Sequence, residues 1–197
     1  GGLDPSQMSE EETRGAWASN EAYTNPDDRA SNYQGFNYDR GLSDKRTAVY
    51  HNPKSKTTHI SYRGTADLGD IPADRMILKG TQKSHPHYQE AVKHYDRVNK
   101  KYQGRIELSG HSKGASVGEY VSQQRNAKLQ SFNQGTGMTS VMDKVKCLRP
   151  SKPKWCDKIT RHTTKGDLIS SLNPFAYGKT KHYKTAGLKS HAISNYL

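Results

Sequence analysis

Covalent chemistry is most readily placed on Gly110-His111-Ser112-Lys113-Gly114, a G-x-S-x-G pattern. Such a pattern serves a sharp turn from a strand into a helix. Glycines on both sides let the backbone close, and the serine hydroxyl stands clear at the helix N-terminus. With 17 Gly in the chain, the five residues alone are a weak signal, because a glycine-rich loop before any helix looks the same. A hydroxyl is a poor nucleophile at neutral pH, so it needs a base, and the base needs an acid to orient it. In the order serine, acid, histidine, the acids after Ser112 are Glu119, Asp143, Asp157 and Asp167, and the histidines are His162, His182 and His191. Glu119 falls on the helix leaving the turn and points elsewhere. Asp143 and Asp157 lie in a lysine-rich segment where solvated ion pairing explains them. Asp167 follows a strand expected at 158–162, and strand C-terminal ends are where sites of α/β proteins assemble. His162 sits inside that strand and His182 in a basic polar run, whereas His191 comes after Asp167 near the chain end. Order and placement favour Ser112, Asp167 and His191.

The elements around these residues alternate. Thr47–Tyr50 and Thr57–Tyr62 are β-branched and aromatic runs separated by the turn-like His51–Lys56, which reads as a hairpin. A helix is expected from about His87 to Tyr102, with Ala91, Val92, Tyr95, Val98 and Tyr102 on one stripe and Gly104 as its stop. Arg105–Ser109 reads as a strand leading into the turn, and a helix with small Ala115 and Gly118 near its start runs on to about Lys128. Leu129–Asn133 and Lys158–His162 read as further strands. Strand–helix–strand alternation at this spacing predicts an α/β sheet. Residues 1–44 are expected to form an acidic N-terminal arm, largely irregular, and residues 45–197 the domain. Within the arm, Ser9 and Glu12 make a capping box for a short helix from Ser9 to Ala18, and Trp17, Tyr23, Tyr33, Phe36 and Tyr38 give it means to pack against the body.

Several blocks then line up in order. They are Ile60–Thr65 with its Arg-Gly-Thr, His87–Ala91, Ile106–Ala115, Ser131–Thr136, Lys165–Ile169 with its Gly-Asp, and His191–Tyr196. In that order the chain resembles the class 3 lipases, the fungal triacylglycerol-lipase-like branch of the α/β-hydrolases. The resemblance spans about residues 47–197. It implies an α/β-hydrolase-like mixed, mostly parallel sheet flanked by helices in a compact single domain. It also implies ester hydrolysis through an acyl-enzyme. Ser112 attacks the carbonyl, His191 takes the proton and returns it to the leaving alcohol, and Asp167 holds the imidazole. The backbone N–H of Lys113, together with Thr65, forms the oxyanion hole. No cofactor and no metal is implied. The chain departs from the family pattern at three points. Tyr88 stands where the family often has Gly, and Lys113 replaces the usual Leu and puts a cation beside the nucleophile. Ala66–Ser84, where an apolar lid belongs, carries Asp67, Asp70, Asp74, Arg75, Lys79 and Lys83. The expected substrate is therefore a lipid or small acyl ester, of the esterase or phospholipase kind before the triglyceride kind.

Composition narrows the partners. The 197 residues carry a net charge of +12 with 31% apolar content, and mean hydropathy is −1.04. No four apolar residues run together, so a transmembrane segment of ~20 residues is excluded. The charge is split, with an acidic first 44 residues and a strongly basic remainder. That body is drawn to polyanions, of which an anionic membrane surface fits a lipid hydrolase best. The tract Lys144–Lys165, with Trp155 among its bases, has a nucleic-acid look without a nucleic-acid fold, and that partner ranks lower. His85, His87 and His94 make a poor zinc pattern. Cys147 and Cys156 are compatible with one bridge or with two thiols. The opening Gly1-Gly2-Leu3 shows no intact signal peptide and fits a soluble product cut from a precursor. The alternative to an enzyme is a weak or inactive hydrolase-fold binding or structural protein, such as a virion component, using its basic surface on membrane or nucleic acid.

Overall fold

The computed structural model describes residues 2–64, 86–134, 141–164, 177–184 and 193–197. Thr65, Asp167, His191, His85 and the segment Ala66–Ser84 lie outside the described residues. The described strands form one sheet in chain order. They are β1 (Asn32–Tyr33), β2 (Phe36–Tyr38), β3 (Thr47–Asn52), β4 (Thr57–Tyr62), β5 (Arg105–His111), β6 (Lys128–Phe132), β7 (Ile159–Thr164) and β8 (Lys179–Tyr183). Pairing is antiparallel through β4 and parallel from β4 to β8. This is the mixed, mostly parallel sheet that the sequence blocks imply. The described α-helices are α1 (Glu10–Glu21), α2 (Pro86–Tyr102), α3 (Lys113–Arg125) and α4 (Val141–Cys147).

Side chains alternate across a strand, and here the two faces of the sheet differ sharply. Ile60, Tyr62, Ile106, Leu108 and Leu129 point to the side of α2 and α3, where Ala91, Val98, Val117 and Val121 complete the main core. Their neighbours His59, Ser61, Glu107, Ser109 and Gln130 point to the α1 side and are equally buried. Arg14 of α1 grips Glu107 with two bonds, 2.8 and 2.7 Å. His59 joins Glu107 at 2.5 Å to Ser109 at 2.7 Å, and the Ser109 hydroxyl continues to Ser61 at 2.9 Å. Burial pushes the Glu107 carboxyl up, but the bonds from His59 and Arg14 outweigh it and hold the group down at about 2. A lean apolar composition thus builds one apolar core and one buried polar layer.

Residues 2–44, expected as a largely irregular arm, carry regular elements. Ser9 Oγ accepts the Glu12 N–H at 3.2 Å and Glu12 accepts the Ser9 N–H at 3.0 Å, so α1 starts where the capping box places it. It then runs three residues past Ala18 to Glu21, and β1 and β2 extend the sheet beyond β3. The acids of α1 meet basic strands, with Lys181 on Glu12 at 2.7 Å and Arg105 on Glu11 at 2.8 Å. Cys147 and Cys156 are bridged, with Cα atoms 5.6 Å apart. A loop this short removes about 2–3 kcal/mol of chain entropy from the unfolded state.

The polar layer makes stability depend on acid. Burial, reinforced by Lys181 and opposed by Glu12, lowers His162 to about 3, whereas an unfolded imidazole titrates near 6.5. Below 6.5 the unfolded chain takes up a proton that the folded one refuses. The fold is therefore less stable at pH 5 than at pH 7, and His51 and His94, also lowered by burial, act in the same direction. Further loss follows below pH ~4.5, where Glu107 adds its own dependence. Urea titrations at the two pH values read this directly. A flat profile between pH 7 and 5, or an equal slope in His162→Gln, refutes the assignment.

Candidate active site

β5 delivers His111 to the end of the sheet and α3 begins at Lys113, so Ser112 alone makes the turn. It does so at φ 56° and ψ −122°, a conformation costly to any residue with a Cβ, roughly 1–3 kcal/mol. Neighbouring backbone holds it there. Its N–H donates to the Phe132 carbonyl at 2.9 Å, and its carbonyl accepts the Ala115 N–H at 3.1 Å. The flanking glycines are steric requirements. A Cβ on Gly110 would lie 2.5 Å from the Gly114 carbonyl carbon and oxygen. One on Gly114 would lie 2.1 Å from the Tyr62 carbonyl oxygen. The G-x-S-x-G spacing is therefore the sequence form of a backbone crossing, in which α3 leaves directly over the end of β4.

The second half of the site comes from the turn after β4. Gly64 approaches the same point so closely that a Cβ there would meet the Tyr23 hydroxyl at 2.3 Å and the His111 carbonyl at 2.7 Å. Tyr23, from the turn after α1, reaches in from the opposite layer. Its hydroxyl lies 2.8 Å from His111 Nδ1 and packs against the Cα of Gly64. Burial pushes this phenol well above its ordinary value, so it stays neutral. One hydroxyl thus bonds His111, next to Ser112, and packs against Gly64, next to Thr65. Nothing in the local sequence around Tyr23 signals this role.

Ser112 is buried, and Lys113 opens α3 with an exposed side chain at the positive end of the helix dipole. Thr65, Asp167 and His191 fall outside the described residues, so of the five expected site residues the structure describes two. Asp143, expected as a solvated ion pair, is instead buried beside Gln123, and the remaining downstream candidates are engaged elsewhere. Glu119 is wholly buried against Arg161 and Gln134. Asp157 pairs with Lys152 at 3.0 Å. Both ring nitrogens of His162 are bonded, to Tyr183 and Gln130 at 2.7 Å each. His182 meets Thr163 at 2.8 Å. Among the described residues no cluster of His, Cys, Asp and Glu could hold a metal ion. His87 instead meets Arg46 at 2.8 Å, and His94 the Leu42 carbonyl at 2.6 Å.

A family model described as Mbeg1-like matches residues 31–161. The chain belongs to the Mbeg1-like family. No curated protein matches it in sequence. Solved structures share the fold at low identity. The Lip2 lipase of Yarrowia lipolytica aligns over 94% of this chain and 81% of its own, with 14% identity and a TM-score of 0.56. A mutant form of MDLA from Penicillium cyclopium aligns over 94% and 82%, with 15% identity and a TM-score of 0.60. A triacylglycerol lipase whose catalytic centre is a serine protease triad aligns over 90% and 80%, with 14% identity and a TM-score of 0.53. The Mbeg1-like chain thus has the fold of the lipase α/β-hydrolases, as its resemblance to class 3 lipases implies.

The crossing at Gly114 sets a stability test. Because the Tyr62 carbonyl and α3 cannot both stay in place, Gly114→Ala should destabilise the fold by about 2–3 kcal/mol in chemical denaturation. A loss under about 1 kcal/mol would mean that the turn is not held as described.

Proposed function

We propose that this Mbeg1-like chain is a serine ester hydrolase. The observation that carries the reading is the backbone of Ser112. A non-glycine residue held at positive φ between a strand and a helix is costly, and such strain persists where it serves a site. In this reading the Ser112 hydroxyl attacks the ester carbonyl and passes its proton to His191. Asp167 orients the imidazole and stabilises its charged form. The oxyanion is held by the backbone N–H of Lys113 and by Thr65. His191 then returns the proton to the leaving alcohol, leaving an acyl-Ser112 that water hydrolyses through the same base. The substrate is a lipid or small acyl ester. The polar sequence of residues 66–84 and the Lys113 cation favour short esters and phospholipids over triglycerides.

A fluorophosphonate probe tests the chemistry. It should label Ser112 in the native chain, identified by peptide mass spectrometry, and fail to label Ser112→Ala. Asp167→Asn and His191→Gln should each lower turnover by about 10³-fold or more. An unlabelled native protein would return the chain to the alternative of a hydrolase-fold binding protein. Tyr23 provides a finer test, because its hydroxyl bonds His111 and packs against Gly64, the neighbours of the two turns proposed to carry the oxyanion donors. Tyr23→Phe should lower kcat about ten- to hundredfold with KM within twofold, at a stability cost of only about 1 kcal/mol. Proportional losses in kcat and stability would reduce Tyr23 to a packing residue.

A further inference from the structure

We propose that α4 and the disulfide-closed turn after it form a docking surface for an anionic lipid bilayer. Among the described residues the exposed large apolar side chains are Met142, Val145, Leu148 and Leu197. The first three recur every third residue on one short helix and its cap, at 59%, 36% and 75% exposure. Spacing of three places them on one face of α4. The Cys147–Cys156 bridge fixes that helix end to the turn before β7, so the apolar side chains are presented on a braced element rather than a free loop.

Cations surround them. Lys144, Lys146, Arg149 and Lys154 lie within this short stretch, beside the Lys152–Asp157 pair, and its other acid, Asp143, is buried. A cleft of about 310 Å³ opens beside the disulfide and takes Lys144, Lys152 and Lys179 into its walls together with Leu148. Apolar side chains ringed by lysines match a bilayer with acidic headgroups, since the apolar tips enter the acyl boundary and each cation meets headgroup charge. Nucleic acid fits less well. Trp155, the aromatic of the tract, already packs edge-on against Tyr177 at 5.1 Å, and exposed methionine, valine and leucine offer nothing to phosphate. The patch stands apart from Ser112. That residue follows the C-terminal end of β5, whereas Cys156 precedes the start of the parallel β7. Docking is read without turnover, so it stands or falls separately from the Ser112 reading.

Vesicle flotation of the full chain tests the surface. Vesicles of three parts phosphatidylcholine to one part phosphatidylserine should carry the protein, pure phosphatidylcholine should not, and high salt should weaken the binding. Met142→Ser with Leu148→Ser should lower affinity at least tenfold, and Lys146→Gln or Arg149→Gln about fivefold each. All four positions are exposed, so the melting temperature should not move, and this checks that the variants fold. Binding to neither vesicle, or unchanged affinity in the double serine variant, overturns the proposal. So does capture by an acidic protein or duplex DNA that the patch variants leave intact while vesicle binding is absent.

Discussion

The structure depends on one close approach, that of the first turn of α3 to the carbonyl end of β4. Gly114 can sit against the Tyr62 carbonyl only because it has no Cβ. That contact needs β4 and β5 to be parallel neighbours, with Tyr62 beside Gly110 in register. Parallel neighbours need a crossover, and among the described residues α2 lies between them, packing Ala91 and Val98 on the core that α3 shares. Once α3 is pressed over β4, Ser112 has no conformation left but its positive φ, and the Lys113 N–H and the turn at Gly64 are brought to the same end of the sheet. The backbone crossing therefore sets the geometry first, and the hydroxyl inherits it.

The buried polar layer explains how so polar a chain holds that crossing in place. A carboxylate in a low-dielectric interior is costly unless it is paired and hydrogen-bonded, and Glu107 has Arg14 on one side and His59 on the other. The line Glu107, His59, Ser109 has the order of an acid, base and hydroxyl set. All three are wholly buried, however, and the line ends on Ser61, so it holds α1 to the sheet rather than meeting substrate. The charge split along the sequence has the same origin. Glu11 and Glu12 of α1 answer Arg105 and Lys181 of the strands, so part of the acidic excess of the first 44 residues neutralises the basic body from within.

What could be read from sequence was local. The hairpin, α2 and the strand into the turn follow from β-branched runs and a helical stripe, and the structure moves their ends by two residues at most. The capping box at Ser9 and Glu12 set the start of α1 for the same reason, since both partners lie within one turn. Contacts between distant segments were hidden. Tyr23 and His111 are 88 residues apart, β1 and β2 are too short to show a period, and a histidine inside a strand carries no mark of its partners. The glycines of the turn lie between these cases. Their pattern was visible, but the reason for it, a carbonyl 2.1 Å from an absent Cβ, belongs to a different strand. The roles of Thr65, Asp167 and His191 rest on chain order and resemblance, which is why chemistry at Ser112 is the decisive observation.

Scarcity of apolar side chains gives the surface of α4 its weight. A chain with 31% apolar residues has few to spare, and it buries polar groups throughout one layer to complete its interior. Scattered exposed apolar residues are ordinary on any protein. Here, however, the sheet takes histidine, glutamate and glutamine inside while three large apolar side chains stand outside together on one braced helix. Moving Leu148 inward would gain about 1.5–3 kcal/mol of burial, an amount comparable with what the disulfide contributes. A fold that forgoes that gain at one place, and surrounds the place with lysines, suits the proposed docking to a surface that supplies both the apolar medium and the negative charge.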